Sequence, residues 1–557
     1  MTLLRGRDAL RAEVKFTSDR RSCGRGTDIL SAGGLLYIPR GAARDMGDGK
    51  VADTTVWTRA YLMDQLRTAV LNPIQAFRLQ YLPLLMVYFA YGALGLVSVA
   101  ESYWIKKNLT LSPAELASLS VWLTLPWTIK MVFGELVDAV PVFGSQRRAY
   151  VLIGGTFIAS GLLILAGAAG EWLTFTTPEN LYRIGSFLSI VGVVLQDVTA
   201  DAMSTEVVAR TNPDCSDRPK SEINRDLGMV QVLGRLALSL GAFAVAGTAG
   251  WLASIYSYQT VFLMGLIIPV ISITGAMLVK LDKIERRPVD WRILGGGIAF
   301  GAVVAALAYA EFPGNQEIVF IVSMAVVIAM LVRVVGDLDE ATKRKIFYAA
   351  LIIFIFRAAP SVGSGYTWFT IDVLGFDEAF QGTLNQIGTA LALLGTWLFS
   401  DAITRRPVTQ VLMWVTIATG ILSLPSLGLT LGLSDWTEHT FGFGARTIAI
   451  VDTAASSPFV QLSMIPLLTL CAIYAPEGRR ASWFALMASL MNLALVAAAL
   501  QTKYLNMIFV VDRGSYGQLP ELLMTAMAIG VVAPIAAILF FGPKIDGGRA
   551  SLKKPAG

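Results

Sequence analysis

Apolar runs of about twenty residues recur from residue 82 onward, separated by short polar loops. Wound as an α-helix, such a run matches the ~30 Å hydrocarbon core of a bilayer. The pattern predicts spans near 82–105, 115–138, 148–169, 181–207, 228–249 and 257–280. A further pair lies near 291–310 and 318–335, followed by six near 346–370, 379–400, 407–431, 445–474, 481–501 and 521–541. That gives fourteen crossings, with twelve as the alternative if the central pair does not cross.

Basic residues test this topology. With both termini on the cytoplasmic side, the inward loops collect nineteen Lys and Arg, among them Arg147, Arg148, Arg218, Lys343, Arg344 and Arg405. The outward loops hold six: Lys106, Lys107, Arg183, Arg446, Lys503 and Arg513. This is the positive-inside bias of a membrane protein. Losing both middle spans would leave the parity unchanged, so hydropathy, not charge, makes the case for fourteen.

A repeat sets the larger organisation. Asp138 lies 56 residues after the start of the first span, and Asp401 lies 56 residues after position 345; paired arginines follow each, Arg147–Arg148 and Arg405–Arg406. Parallel repeats of this kind build two-bundle transporters. The expected domains are a poorly ordered cytoplasmic tail at 1–77, a six-helix bundle at 78–285, an inserted helical pair and linker at 286–344, a second six-helix bundle at 345–543, and a short tail at 544–557. The fold class is therefore an all-α polytopic membrane protein of two six-helix bundles with two extra central helices.

Composition agrees. The chain is 55% hydrophobic and 15% charged, against about 25% charged in soluble proteins. Its formal net charge of +5 would suggest nucleic acid in a soluble chain; here the inward loops account for it. Cys23, Cys215 and Cys471 are scattered and His439 is the single histidine, so neither a disulfide framework nor a Cys/His metal cluster is available. No metal or cofactor is expected. Residues 1–77 mix basic and acidic side chains and lack the apolar core of a signal peptide. An amphipathic segment at 55–71, or a later start at Met46 or Met63, are alternatives to a plain tail.

Charged groups inside apolar spans are costly unless they face a partner or a wet cavity, and so mark function. Lys130 lies inside the second span, near its cytoplasmic end; it either meets a ligand or snorkels to the surface. Asp197 and Asp201 are i,i+4 neighbours, so their carboxylates share one helical face. Two like charges at that spacing suit a coupled proton site, and structural pairing with Arg235 is the plain alternative. Arg235 and Arg357 interrupt the fifth span and the first span of the second bundle. Each is a candidate for a substrate carboxylate. Behind Arg357, the run Ala358–Gly365 with Pro360 and Ser361 predicts a broken helix. Tyr366 and Trp368 then offer faces on which a planar ring can stack. Asp452 sits in the second bundle roughly where Asp197 sits in the first. Glu135, Asp138, Arg147, Arg148, Asp401, Arg405 and Arg406 form the expected inward gate.

Several of these stretches resemble a known family. Pro126–Lys130, Gly134, Asp138, Val140–Gly144 and Arg147–Tyr150 look like the signature of the folate–biopterin transporters, a branch of the major facilitator superfamily found in cyanobacteria, plastids and kinetoplastid protozoa. Gln196–Ala202, Phe354–Ser361 and Leu374–Phe376 are similar to the same family, and the likeness covers roughly 75–545. There are departures: Ile129-Lys130-Met131 replaces the usual Ile-Lys-Pro, and the second-half loop is short.

The resemblance implies a secondary active transporter that moves folate or pterin by alternating access, as proton-coupled import. The implied partners are a small-molecule substrate, protons and the lipid bilayer, with the monomer as the working unit and no nucleic acid. A bacterial or cyanobacterial inner membrane is the expected location, with the plastid envelope as alternative. A facilitator for another organic anion or planar solute and a non-transporting membrane sensor are the competing readings. An enzyme is not expected, because no loop or span offers a nucleophile, base and orienter together.

Overall fold

The computed structural model describes residues 77–551 apart from 143–144, 146, 212–215, 280–290, 311, 337, 405–406, 463 and 474–479. The expected tail at 1–77 therefore lies outside the described residues but for Phe77, as do Arg405 and Arg406 and the side chain of Asp401.

The first bundle comprises α1 (Leu79–Asn108), the bent pair α2 (Pro113–Thr128) and α3 (Lys130–Ala139), α4 (Arg148–Ala169), α5 (Pro178–Glu206), α6 (Lys220–Ile255) and α7 (Tyr258–Leu278). The extra pair is α8 (Trp291–Ala310) and α9 (Asn315–Val334). The second bundle contains the broken helix α10 (Glu340–Arg357) and α11 (Ser364–Asp372), then α12 (Glu378–Thr404), α13 (Val408–Thr430), the short α14 (Leu433–Phe441), α15 (Ala445–Leu462), α16 (Met464–Ile473), α17 (Arg480–Ile508) and α18 (Leu519–Ser551). Among the described residues no helix pairs with a β-ladder; only isolated bridges occur at loop ends.

Length and apolarity alone qualify nine of these helices to cross a membrane, or ten with α2–α3 counted as one. The other four expected crossings are occupied by α8, α10–α11, α12 and α15–α16. One of them, α10–α11, is broken into two pieces, and α12 carries Gln381, Asn385 and Gln386 along its first half. Polar residues and breaks lower the apolarity of helices that face a partner instead of lipid. On the outside of the molecule, Phe540, Ile298, Val332 and Trp251 are each more than half exposed, as lipid-facing side chains are and soluble surfaces rarely are.

Local sequence explains the elements that position the site. α2 starts on a capping box: Ser112 accepts from the Glu115 amide, and the Glu115 carboxylate takes the Ser112 amide. Pro126 removes a donor inside α2. The chain turns at Ile129 (φ −102°, ψ 21°) with a 40° bend, so Lys130 opens α3 at the corner. The Trp127 carbonyl loosened by this bend accepts from Asn492 Nδ2 of α17 at 3.0 Å.

The two bundles meet along two seams, α2 with α17 and α6 with α12. The pair α8–α9 belongs to neither bundle: α8 lies on α3, and α9 lies on α2 and α17.

Candidate functional site

Between the two seams, on the inner face of the first bundle, Lys130 meets both predicted carboxylates. Its Nζ stands 2.5 Å from Asp197 Oδ2 and 2.9 Å from Asp201 Oδ2. Tyr88 of α1 donates to the other Asp201 oxygen at 3.2 Å. The partner of the acidic pair is thus Lys130. Arg235 of α6 is exposed, yet close enough for its charge to act on Asp197. Beside this group Tyr91 stacks on Trp127, with ring centroids 6.3 Å apart and planes 25° from parallel. A narrow pocket runs behind them along Tyr88, Tyr91, Gln196 and Asp197.

Asp197 is nearly covered, whereas Asp201 keeps 45% of its side chain exposed. Asp201 sits inside a 29-residue helix long enough to cross a bilayer, between helices that form the seams. A half-exposed carboxylate in a spanning helix is costly against lipid, so this edge is expected to meet water.

Towards the end of the molecule that carries residues 140–147, called the Arg147 end, the other first-bundle charges gather. Arg147, 8% exposed in its side chain, pairs with Asp138 at 2.7 Å and with Glu206 at 2.5 Å and donates to the Val137 carbonyl at 2.8 Å. Arg148 donates to the Val279 carbonyl at 2.5 Å, and Glu135 lies half-buried on α3. Arg147 and Arg148 thus bind the ends of α3, α4, α5 and α7 to one another. The expected Asp138–Arg147 contact forms, and it forms within one bundle.

In the second bundle Arg357 ends α10, its Nε donating to the Met491 carbonyl at 3.4 Å. The predicted break follows at Ala358–Gly363, and α17 supplies what the missing helical bonds leave open. Gln501 Nε2 donates to the Ala358 carbonyl at 2.6 Å, and Asn506 Nδ2 to the Val362 carbonyl at 3.1 Å. The Ser361 amide donates to Thr502 Oγ1 at 3.0 Å. Gly363, at φ +78° and ψ −164°, holds a conformation open essentially to glycine alone. Replacing Gln501 with leucine strands the Ala358 carbonyl, which costs about 1–3 kcal/mol. The expected result is a lower thermal unfolding midpoint in detergent, read by loss of helical circular dichroism.

Tyr366, Ser426 and Asp452 form a separate polar cluster inside the second bundle. Ser426 donates to Asp452 Oδ2 at 2.9 Å and lies beside Tyr366. The buried Oδ1 of Asp452 has no hydrogen-bond partner among the described residues. Trp368 goes elsewhere: it is 1% exposed and packs with Trp104, Leu109 and Leu111 of the first bundle.

Trp368 belongs to a seal at the opposite, Arg513 end, which sequence reasoning did not assemble. Arg513 reaches from the α17–α18 loop to three first-bundle carbonyls, those of Lys106 (2.8 Å), Leu111 (3.0 Å) and Ile105 (3.1 Å), with its guanidinium 4.0 Å from the Trp368 ring centroid. A cation at the carboxyl end of α1 also complements its helix dipole. Lys107 pairs with Glu378 at 2.8 Å, and Tyr258 donates to the same carboxylate at 2.7 Å. Lys106 pairs with Asp372, and Tyr103 donates to the Phe376 carbonyl at 2.8 Å. In the adjoining loops, burial and the Asp372 carboxylate push the Tyr516 hydroxyl pKa up. The Phe380 amide and Arg446 hold Asp377 below the usual carboxylate range. Every ion pair between Lys106 or Lys107 and the second bundle crosses from one bundle to the other, so this end is shut.

Beneath the seal the α6–α12 seam closes on glycine. A Cβ on Gly382 would stand 2.7 Å from the Gly250 Cα and 2.9 Å from the Gly247 carbonyl oxygen. Gln386 takes the Gly247 amide at 2.8 Å.

Two helical bundles, bridged by side chains at one end and carrying a partly exposed ion cluster on the first, define a class of fold, and solved structures share it. A POT family transporter in complex with 5-aminolevulinic acid aligns with a TM-score of 0.60 at 14% identity, covering 84% of this chain and 96% of its own. A peptide transporter POT in complex with sulfate aligns with a TM-score of 0.56 at 17% identity, covering 84% and 94%. At such identities the likeness concerns the fold, which is that of the major facilitators.

Sequence comparison carries the assignment further. The profile of the BT1 family matches residues 92–548, and the chain belongs to that family. The "Folate-biopterin transporter" of Synechocystis is 28% identical over 421 residues, covering 74% of this chain and 72% of the relative. "Folate transporter 1" of Plasmodium falciparum is 20% identical over 441 residues, covering 79% and 75%. The chain is a multi-pass membrane transporter of the folate–biopterin family, and its relatives are named as transporters rather than enzymes.

Proposed function

We propose that this protein imports folate or a related pterin together with protons by alternating access, acting as a monomer with both termini in the cytoplasm of a bacterial inner membrane. The observation that supports the reading most is the Lys130 cluster, which is partly exposed to solvent while side chains bridge the bundles at the Arg513 end.

On this reading the structure is the inward-open state, and the Arg147 end is cytoplasmic. Lys130 with Asp197 and Asp201 carries one surplus negative charge. A proton taken from the outer side neutralises it and leaves Lys130 held by a single carboxylate. Lys130 and Arg235 can then meet a substrate carboxylate, which a free double-acid pair would repel. The Tyr91–Trp127 stack offers the planar ring a face. Arg357 and Ser361, at the helix break, would contribute from the second bundle, and the Asp401 loop would latch the cytoplasmic side when it closes. Release inside frees the proton, so an acid-outside gradient drives import.

Asp197→Asn tests the coupling. Vesicles carrying this variant are expected to exchange folate across the membrane while losing accumulation driven by an acid-outside gradient. Full gradient-driven accumulation would remove Asp197 from the proton step. Exchange of an unrelated organic anion in preference to folate would favour the broader facilitator reading.

A further inference from the structure

The extra pair α8–α9 fastens to both bundles at once, and a single side-chain amide makes the join. Gln316, 3% exposed near the start of α9, donates from Nε2 to Ser118 Oγ (2.6 Å) and to the Ser118 carbonyl (3.0 Å) on α2. Its Oε1 accepts from Lys503 Nζ of α17 at 3.1 Å. The next residue, Glu317, accepts from the same ammonium at 3.0 Å and from the Tyr504 hydroxyl at 2.5 Å. The donor side of Gln316 therefore holds the first bundle and the acceptor side holds the second. Below this point Val319 and Val327 of α9 pack in one apolar cluster with Val121 and Leu125 of α2 and Leu493 and Val496 of α17.

The partner helix is anchored on one side. Asn315 ties α9 back to the Leu307 carbonyl of α8 at 3.2 Å. On α8, Gly297 lies so close to Val132 of α3 that a Cβ there would meet the valine. The pair thus rides on the first bundle through α8 and reaches over the α2–α17 seam to grip α17. Its polar grip lies toward the Arg513 end: Ser118 is six residues into α2, and Lys503 is five residues from the end of α17. Any motion that parts the bundles at that end must slide α17 past α2. The grip of Gln316 on Ser118, or that of Lys503 on Gln316 and Glu317, then has to break.

We propose that α8–α9 is a strap that biases the transporter toward the state shut at the Arg513 end, with Gln316 as its buckle. This rests on the alternating-access reading above. Because the buckle is made of an amide, a hydroxyl and one ammonium, the strap sets the balance between the two states and leaves the Lys130 site untouched.

The test uses the full chain in lipid nanodiscs, with Cys23, Cys215 and Cys471 replaced. Spin labels are placed at Thr174→Cys and Thr440→Cys, two exposed positions at the Arg513 end on opposite bundles, the first in a loop and the second near the end of α14. Electron–electron distance measurements give the populations that are short (shut) and long (open). Gln316→Met keeps the volume and removes both polar ends, and is expected to raise the long population about fivefold, a lost buried hydrogen bond or two. Lys503→Met should raise it similarly, and Arg513→Ala, which removes the bolt itself, should raise it at least as much. If Arg513→Ala opens the end while Gln316→Met and Lys503→Met both keep the parent distribution, the strap is overturned and alternating access stands. If none of the three shifts the distance, and folate does not either, the rocking reading falls and the strap with it.

Discussion

Lys130→Met is expected to lower initial folate uptake about thirtyfold at equal membrane abundance. Removing one partner of a fully buried ion pair costs about 3–5 kcal/mol, because the remaining charge loses its counter-ion without regaining water. Here 28% of the Lys130 side chain and 45% of that of Asp201 are exposed, and solvent reduces the figure to about 2 kcal/mol, or about thirtyfold in an equilibrium constant. The loss falls on the working cycle because Asp197 and Asp201 would then face each other across one helical turn with no cation between them. Lys130→Arg should recover a substantial part of the rate, since a guanidinium can bridge both carboxylates. An unchanged rate in Lys130→Met, with protein level measured in the same membranes, would separate this cluster from transport.

The second large effect is expected at the opposite bundle. Gly382→Leu places side-chain atoms where the backbone of Gly250 already stands. Helix backbones cannot yield by rotamer change, so the α6–α12 seam must part near the Arg513 end. That separates Glu378 from Lys107 and Tyr258, which lie just beyond. The variant should be held open at that end, bind folate added from the outer side and fail to carry it through. The measurements are equilibrium binding and uptake on the same preparation. Binding retained with uptake reduced to the level of empty vesicles is the expected pair. Normal uptake would mean that this seam does not move.

The sequence carried the architecture well because bilayer crossing imposes a coarse, local signal. Run length, loop charge and the repeated Asp–Arg–Arg loop pointed to two bundles with an extra pair, and the helices follow that order. The break behind Arg357 was also legible, since Pro360 and the glycines around it act locally. The Lys130 cluster was half legible. The shared face of Asp197 and Asp201 follows from helical spacing, but which cation meets them depends on how far α3 swings at Ile129, a tertiary fact.

What escaped was contact between distant segments. Trp368 was expected on an open face; its place in the seal depends on Arg513, far along the chain. Tyr88 and the Tyr91–Trp127 stack went unnoticed because aromatics are common in apolar helices. One clue was present. Of the six basic residues assigned to the outward side, Lys106, Lys107, Arg446, Lys503 and Arg513 all hold ion pairs. On the side of a membrane protein where basic residues are scarce, those that remain are there for a partner.

Entrance counterflow tests most directly whether the paired bundles carry a folate-like solute across the bilayer past the Lys130 site. Proteoliposomes of the wild-type chain, loaded with unlabelled folate and diluted into a trace of labelled folate, should accumulate label transiently above its equilibrium level, with no ion gradient imposed. Accumulation no greater than in protein-free vesicles, for folate and biopterin alike, would contradict the account.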